Sequence, residues 1–277
     1  MVDCHSGGRE DRKSAKGDKW NNNAVTVIGG FRTKKEGGSK IIINVNKKFC
    51  SDKSNQINCA LKTGSWDSTA TVQVDVGSSG EVLGAGGDGG KGADGINNNG
   101  NNGSPGTSAL GIEHNGVTIN VASGGILRCG FGGGGGGGGG RQTDKRRDRR
   151  AGGGGGGGGA GFPFGTGGQG GVPQAGTRQA NEDIGSPGGD GTETTGGGGG
   201  GGGDNDDQAG GQTGGRGGDN EQTPTDGPDD DSQGGDAGTN GAAIRETSGV
   251  SFTFGTTGGT IEPSSFTNAA NAQQGVA

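Results

Sequence analysis

Five short runs along the chain alternate apolar and polar residues with the two-residue period of a β-strand. They are AVTVIGG, KIIINVN, ATVQVDVG, GVTINVA and GVSFTFG, each rich in β-branched or aromatic residues and each followed by small or polar turn-forming residues. No stretch carries apolar residues at helical spacing, and each interior glycine would destabilise a helix by about 1 kcal/mol. The pattern predicts an all-β or irregular fold with essentially no α-helix.

Two of these runs begin a longer unit that is repeated. VDV at residues 74–76 is followed by a GSSG turn, a second short run EVL at 81–83, and then glycine. INV at 119–121 is followed in the same way by ASGG, ILR at 126–128 and glycine. Near the C-terminus, SFTFGTTGGTIEP repeats the first three parts. A repeated unit of this kind predicts similar rungs that stack on one another.

Glycine dominates the middle of the chain. The protein has 77 glycines in 277 residues and only 23% hydrophobic residues, too few for an apolar core along its whole length. Uninterrupted tracks run from Gly132 to Gly140, from Gly152 to Gly159 and from Gly196 to Gly203. Mixed tracks lie at 84–95, 165–171, 185–191, 210–218 and 234–241. Inserts of quite different composition separate the tracks.

Two interpretations of the tracks compete. Composition alone is typical of a flexible linker. The near-equal lengths of the uninterrupted tracks and their recurrence instead favour polyglycine II helices packed side by side. Such helices have three residues per turn and a rise of about 3.1 Å, and they lack internal hydrogen bonds, so each must bond to its neighbours. We expect a bundle of matched rods with the inserts as turns at its two ends.

Charge is segregated among the inserts. RQTDKRRDRR, at residues 141–150, has a net charge of +4, whereas residues 181–236 have a net charge of −13. Arginine offers a planar bidentate fork to phosphate or carboxylate groups, so the cationic insert is a candidate anion-binding loop; a solvated turn is the alternative. The acidic inserts offer oxygen ligands for Ca²⁺ but lack an EF-hand pattern, which favours solvated loops. The phenylalanines of GFPFG are candidates for stacking on a sugar or for packing against the rods.

No catalytic motif is present in the sequence. His5 and His114 lie far apart, and there is no CxxC, HExxH or GxSxG pattern. We therefore expect a protein that is not an enzyme and that needs no metal or cofactor. The start of the chain lacks the apolar segment of a secretory signal, and no stretch approaches the roughly 20 apolar residues of a membrane span.

Four cysteines leave the redox state open. Cys50 and Cys59 bracket a polar loop and could meet across a hairpin, or both could remain thiols.

From about residue 41 to the C-terminus, the chain resembles the receptor-recognising adhesins at the tips of bacteriophage long tail fibres of the T-even-like group. The resemblance rests on IIINVN, ALKTGSWDSTATVQV, GEVLGAGGDGGKGADG and, most specifically, SPGTSALGIEHNGVTINVASGGILRCGFGGGGGGGGG. It implies an N-terminal domain that docks on the fibre, followed by a sandwich of polyglycine II helices. The variable turns between the glycine motifs would then recognise the bacterial surface.

The predicted organisation has four parts: a polar basic arm at 1–23, a β-rich fibre-attachment domain at 24–83, a glycine bundle at 84–241 and a C-terminal strand segment at 242–277. The bundle includes a strand segment at 107–131, and the C-terminal segment packs back on the attachment domain. Residues 1–36 have no counterpart in the resemblance.

The predicted function is that of a virion protein at the distal tip of the tail fibre. The protein is made in the host cytoplasm and binds an outer-membrane protein or lipopolysaccharide to start host attachment. Its expected partners are a tail protein and the receptor, without nucleic acid and without membrane insertion. The candidate receptor-binding residues are Arg141, Lys145, Arg146, Arg147, Arg149, Arg150, Phe162, Phe164, Asp204, Asp206, Asp207, Asp229, Asp230 and Asp231.

Two other functions remain open. The first is a structural virion protein that uses the rods as a rigid spacer. The second, less favoured by the acidic net charge and the single Arg-Gly-Gly, is nucleic-acid binding.

Overall fold

The computed structural model describes residues 25–28, 40–53, 58–144, 147–173, 184–203, 210–219 and 222–262. Within these ranges the chain forms fourteen short strands and no helix, as the sequence predicted. No helix in the described ranges is long and apolar enough to cross a membrane.

Five strands form sheet 1, in the order β1-β2-β5-β8-β13. They are the five runs predicted from the alternating pattern, and β2, β5, β8 and β13 are parallel. Their bounds are Val25–Ile28 for β1, Lys40–Val45 for β2, Thr71–Val76 for β5, Val117–Val121 for β8 and Phe252–Thr257 for β13. In β2, β5 and β8 alternate side chains are buried, so the apolar set faces the core.

Sheet 2 has the order β14-β9-β6-β3 and is parallel throughout. Its strands are Lys48–Cys50 (β3), Glu81–Leu83 (β6), Ile126–Arg128 (β9) and Thr260–Glu262 (β14). Three of them are the second runs of the repeated unit, which confirms the predicted stacking of rungs. The fourth, β3, shows that residues 40–50 form a further copy that the sequence reading did not recognise.

Sheet 3 has the order β12-β7-β4 and is parallel. Its strands are Cys59–Lys62 (β4), Ser108–Ile112 (β7) and Ile244–Glu246 (β12). Successive turns of the chain therefore visit sheets 1, 2 and 3 in order. Their inward side chains form one apolar core that includes Val45, Val74, Leu110, Ile119 and Leu127. We call this three-sheet unit the β domain.

The glycine tracks are excursions from one corner of the β domain. In the first turn, residues 51–58 separate β3 from β4 in sequence. In the second turn, residues 84–107 are inserted between β6 and β7, and in the third turn, residues 129–243 are inserted between β9 and β12. Both excursions therefore leave from sheet 2 and return to sheet 3.

Ten extended tracks can be followed through the described part of these excursions, and we number them in chain order. They span residues 84–95, 100–107, 130–139, 152–160, 165–172, 185–191, 196–203, 210–218, 223–228 and 233–241. The backbone bonds between neighbouring tracks recur every third residue. In track 1, for example, the N–H groups of Gly89 and Gly92 donate to track 5, and Gly86 N donates to the Pro163 oxygen just before track 5. The N–H groups of Gly87, Gly90 and Ala93 donate to track 3.

Tracks 3 and 4 lie at the centre of the array. Track 3 exchanges backbone hydrogen bonds with tracks 1, 2, 4, 8, 9 and 10, and track 4 with tracks 1, 3, 5, 6, 7 and 8. The other eight tracks surround this pair. A Cβ on Gly133, Gly134 or Gly135 would collide with a backbone oxygen of track 1, 8 or 10 respectively. Every position of the central tracks that is enclosed in this way must therefore be glycine.

Outer tracks carry side chains on the one face that points away from the bundle. In track 1 this face is formed by Asp88, Lys91 and Asp94, each separated from the next by two residues. Tracks 2 and 9 contain few glycines and were not recognised from the sequence. In track 2 the signal was the three-residue spacing of Gly100, Gly103 and Gly106, whose Cβ positions are blocked by backbone.

Candidate functional site

The cationic insert is a β-hairpin that continues the central pair of tracks. Backbone bonds join Phe131 to Ala160, Gly134 to Gly157 and Gly137 to Gly154, and this antiparallel register runs on unchanged into two paired strands. These are β10 at Gly140–Asp144 and β11 at Arg147–Ala151. The sequence predicted a simple turn here. The structure corrects this, because strand pairing extends four residues beyond Gly140, to Asp144.

The connections between tracks lie at two opposite ends of the array. We call the end next to the β domain the proximal end and the other the distal end. Connections 161–164 and 192–195 are proximal, as are Asp219 and Gln222, and the bond from Phe162 N to the Gly84 oxygen (2.9 Å) marks this end. Connections 96–99 and 229–232 and the paired strands at 140–144 and 147–151 are distal, and described residues next to 174–183 and 204–209 also lie at that end.

The two candidate phenylalanines are thereby separated from the other candidates. Phe162 lies at the proximal end, where the Lys48 ammonium is 4.7 Å from the centre of its ring. Phe164, in the same connection, is 43% exposed. This placement favours packing for Phe162, since its ring meets a side chain of the β domain.

A cluster of ion pairs joins the proximal connections to sheet 2. Lys48 Nζ lies 2.8 Å from Glu81 and 2.9 Å from Glu193, which belongs to connection 192–195. Arg128 lies 3.9 Å from Glu193 and also pairs with Glu262. Burial lowers the pKa of Lys48, but its hydrogen bonds to the two glutamates outweigh this and raise the pKa above its usual value. The cluster fixes the bundle to the β domain.

Carboxylate and amide side chains on the outer tracks accept hydrogen bonds from the outward-facing backbone N–H groups of neighbouring tracks. Asp88 accepts from Thr166 N (2.7 Å), Asp190 from Gly167 N (2.8 Å) and Asp94 from Val172 N (2.9 Å). Asn99 and Asn102 do the same for residues of track 10. Much of the acidic composition of this region therefore satisfies backbone donors.

The acidic candidates at the distal end make contacts of the same kind. Asp229 accepts from Gly234 N (2.8 Å), Asp230 from the side-chain amide of Gln212 (3.1 Å) and Asp231 from Arg141 N (2.6 Å). Asp204, Asp206 and Asp207 lie outside the described residues. Among the residues that are described, no group of histidine, cysteine and carboxylate side chains is arranged to hold a metal ion.

The cationic candidates lie at the distal end as far as they are described. The side chain of Arg141 is exposed and that of Arg150 is half-buried, and the two residues face each other across the hairpin. Arg147 and Arg149 lie in β11, for which only the backbone of these positions is described. Lys145 and Arg146 are outside the described residues.

Neither alternative left open for Cys50 and Cys59, a disulfide between them or two thiols, is found in the structure. Cys50 is disulfide-bonded, but Cys59 and Cys129 both carry thiols. The reason is topological, because β3, which contains Cys50, lies in sheet 2, whereas Cys59 begins β4 in sheet 3. Burial raises the pKa of the Cys59 thiol to about 11, so it stays protonated and unreactive near neutral pH.

Comparison with known families identifies the chain. Residues 14–196, well over half of its length, match the family model of the phage tail fibre adhesin Gp38. No curated protein and no solved structure matches the chain. The match confirms the resemblance seen in the strand-and-glycine segments, and with it a non-catalytic, receptor-binding role at the tip of the phage tail fibre. The chain therefore belongs to the Gp38 family of phage tail fibre adhesins.

Proposed function

We propose that the distal end of the bundle contacts the host receptor and that the hairpin at 140–151 is its principal receptor-binding element. We call this its reading role. The observation that carries this proposal is the sorting of the connections into two ends. Two proximal connections contact the β domain through Phe162 and Glu193, whereas the hairpin projects from the central tracks at the opposite end. Loops presented by a rigid scaffold are a common arrangement for binding sites.

The tracks themselves are polyglycine II helices in this proposal. The three-residue recurrence of the bonds between tracks supports it, since polyglycine II has three residues per turn. So does the central pair, in which each track bonds to six neighbours through successive residues. A scaffold held by backbone bonds leaves the connections free to differ in sequence without disturbing the rods.

The tail fibre is the partner of the β domain in this proposal. The β domain lies at the end of the bundle away from the hairpin, so a fibre bound there leaves the distal connections directed towards the host. The ion-pair cluster of Lys48, Arg128 and Glu193 supports a fixed orientation between the attachment and reading ends.

The chemistry of the hairpin favours an anionic receptor group. Six cationic residues in RQTDKRRDRR suit the phosphate or carboxylate groups of a lipopolysaccharide core or an acidic surface glycan. An outer-membrane protein with acidic loops offers the same carboxylates. Exposed Val172 and Ile184 flank the neighbouring distal connection and provide a small apolar contact.

Adsorption of the purified protein to host cells tests the proposal. We expect replacement of Arg146, Arg147, Arg149 and Arg150 by serine to weaken adsorption, with the largest difference at low ionic strength because salt screens exposed charge. The matched control replaces Phe164, at the proximal end, by serine and should leave adsorption unchanged. Unchanged adsorption of the arginine variant at low salt would refute a reading role for the hairpin. If the protein no longer binds host cells with truncated lipopolysaccharide, the receptor is lipopolysaccharide. If it no longer binds cells whose outer-membrane protein lacks its acidic loops, the receptor is that protein.

A further inference from the structure

The acidic connection at 229–232 lies against the base of the cationic hairpin. We propose that Asp231 and Ser232 are positioning residues: they hold the base of the hairpin in the orientation that binds the receptor, and they do not contact the receptor themselves. We call this contact the clamp. This inference rests on the proposed reading role of the hairpin. Asp231, which the sequence analysis named as a candidate receptor-binding residue, is thereby given a structural role.

The end of track 9 and the connection that follows it accept three hydrogen bonds from track 3 and β10. Gly138 N donates to the Pro228 oxygen (2.9 Å), Gly139 N to Ser232 Oγ (2.7 Å) and Arg141 N to Asp231 Oδ2 (2.6 Å). In return, Ser232 N donates to the Gly139 oxygen (3.2 Å). The connection therefore lies along the edge of the hairpin that β11 leaves uncovered.

Ser232 is the buried element of this contact. It is only 6% exposed, and its hydroxyl lies within 3.4 Å of the Gly95 oxygen as well as accepting from Gly139 N. One side chain thus joins the ends of track 1 and track 3 to the connection before track 10. The base of the hairpin is held at a point where three chain segments meet.

A hairpin of this composition needs such support. Isolated two-stranded hairpins are marginally stable in water. Here Arg141 is paired directly with Arg150, and like charges opposite each other destabilise a strand pair. The Asp231 carboxylate, bonded to the backbone of Arg141, adds a negative charge at this pair. Charge and hydrogen bonding therefore act together at one residue.

The neighbouring carboxylates are also engaged by the protein. Asp229 accepts from Gly234 N and Asp230 from Gln212, while Asp230 N donates to the Ser232 oxygen (3.0 Å). These bonds shape the connection so that Asp231 and Ser232 reach the hairpin. None of them requires a bound ion or receptor group.

The test compares Asp231→Ala, Asp231→Asn and Ser232→Ala in the full-length protein. Loss of a hydrogen bond to a charged acceptor changes the equilibrium constant for local opening by roughly tenfold or more. We expect Asp231→Ala to speed hydrogen exchange at the Arg141 amide about tenfold, and Ser232→Ala to do so at Gly139. Exchange at Gly134 and Gly137, inside the bundle, should not change. Asp231→Asn keeps an acceptor oxygen and should restore most of the protection and of the adsorption.

The outcomes separate the clamp from the reading role. If the arginine-to-serine hairpin variant adsorbs normally, the proposed function fails. If that variant loses adsorption but Asp231→Ala leaves both exchange and adsorption unchanged, the clamp is refuted. If Asp231→Asn loses adsorption as fully as Asp231→Ala while Arg141 stays protected, Asp231 contacts the receptor and the clamp is again refuted.

Discussion

Tracks 3 and 7 are both uninterrupted runs of glycine, but the structure uses them differently. Track 3 is surrounded by six neighbours, and a Cβ at any of Gly133, Gly134 or Gly135 would overlap a backbone oxygen. Within the described part of the chain, track 7 exchanges backbone hydrogen bonds with three tracks, 4, 6 and 8. A Cβ on its Gly198 or Gly201 would meet nothing within 4 Å among the described atoms. Glycine is thus required by packing in the central track. On the open face of the outer track, a larger residue would also fit.

The difference teaches that glycine content alone does not reveal which track is enclosed. Other outer tracks fill their outward positions with residues such as Asp88, Thr166 and Asp190, which bond across to a neighbour. The central tracks are held mainly by backbone bonds, with side-chain acceptors for Gly132 N and Gly139 N near the two ends of track 3, whereas the outer tracks depend on side chains along their length. Each of the following substitutions tests one side of that contrast.

The largest effect is expected from Gly135→Ala. The new methyl group would overlap the Gly235 oxygen, and enclosed backbone cannot move aside without breaking its own bonds. We expect a loss of about 3 kcal/mol in the free energy of unfolding, measured by denaturant titration. Unchanged stability would mean that track 3 is not enclosed as described.

An intermediate effect is expected from Asp88→Ala. This change removes the acceptor shared by Thr166 N, Thr166 Oγ1 and Lys53 Nζ. The partly exposed site suggests a loss of about 1 kcal/mol, with faster hydrogen exchange confined to track 5. Equal loosening of track 3 would contradict the separate dependence of the outer tracks on side chains.

Acid should loosen the outer tracks before the central ones. Burial raises the pKa of Asp88 and of Asp94, but hydrogen bonds from Lys53 and Thr166 to the first, and from Lys91 and Val172 to the second, lower both below the usual value. Carboxylates with depressed pKa stabilise the fold above the unfolded-state pKa, near 4, and this contribution is lost as pH falls through the folded-state value.

We therefore expect stability to hold from pH 7 to about 5 and to fall below about 4. Hydrogen exchange measured as a function of pH should show tracks 1 and 5 losing protection first. The Asp88→Asn variant, which cannot ionise at this position, is the matched control and should show a smaller acid-dependent loss. Simultaneous loss in tracks 3 and 4 would remove the distinction between the two classes of track.

The smallest effect is expected from Gly198→Ala. The position is exposed, and its backbone is not in the left-handed region that would strain alanine. Alanine also restricts the unfolded chain, so we expect a gain of about 0.5 kcal/mol in the free energy of unfolding. A loss comparable with that of Gly135→Ala would show that a further surface covers track 7.

The sequence predicted the parts of the fold that have a local signal. All five strands of sheet 1 show the two-residue alternation in the sequence, and in β2, β5 and β8 it corresponds to alternating burial in the structure. By contrast, β7 is buried at all five positions, and β3, β4 and β12 are only three or four residues long. None of these carries an alternation long enough to recognise.

The site was predictable in composition but not in arrangement. Whether a connection is proximal or distal depends on how many tracks precede it, and missing tracks 2 and 9 left that count open. The position of Phe162 therefore could not be inferred. The contact between Asp231 and Arg141 joins residues 90 positions apart, and no local pattern indicates it.

The three-residue recurrence in the tracks also restricts how such a protein can change over evolution. Inserting one residue into track 3 would rotate every later glycine by a third of a turn. Its backbone groups would then no longer face their hydrogen-bond partners in track 4. Inserting three residues keeps each face in place and lengthens the rod by about 9 Å in polyglycine II geometry. A connection can be replaced without shifting the register of the tracks on either side, because the bonds that set this register lie within the tracks. The connections are thus free to differ in sequence, whereas the length of a track changes only in whole turns.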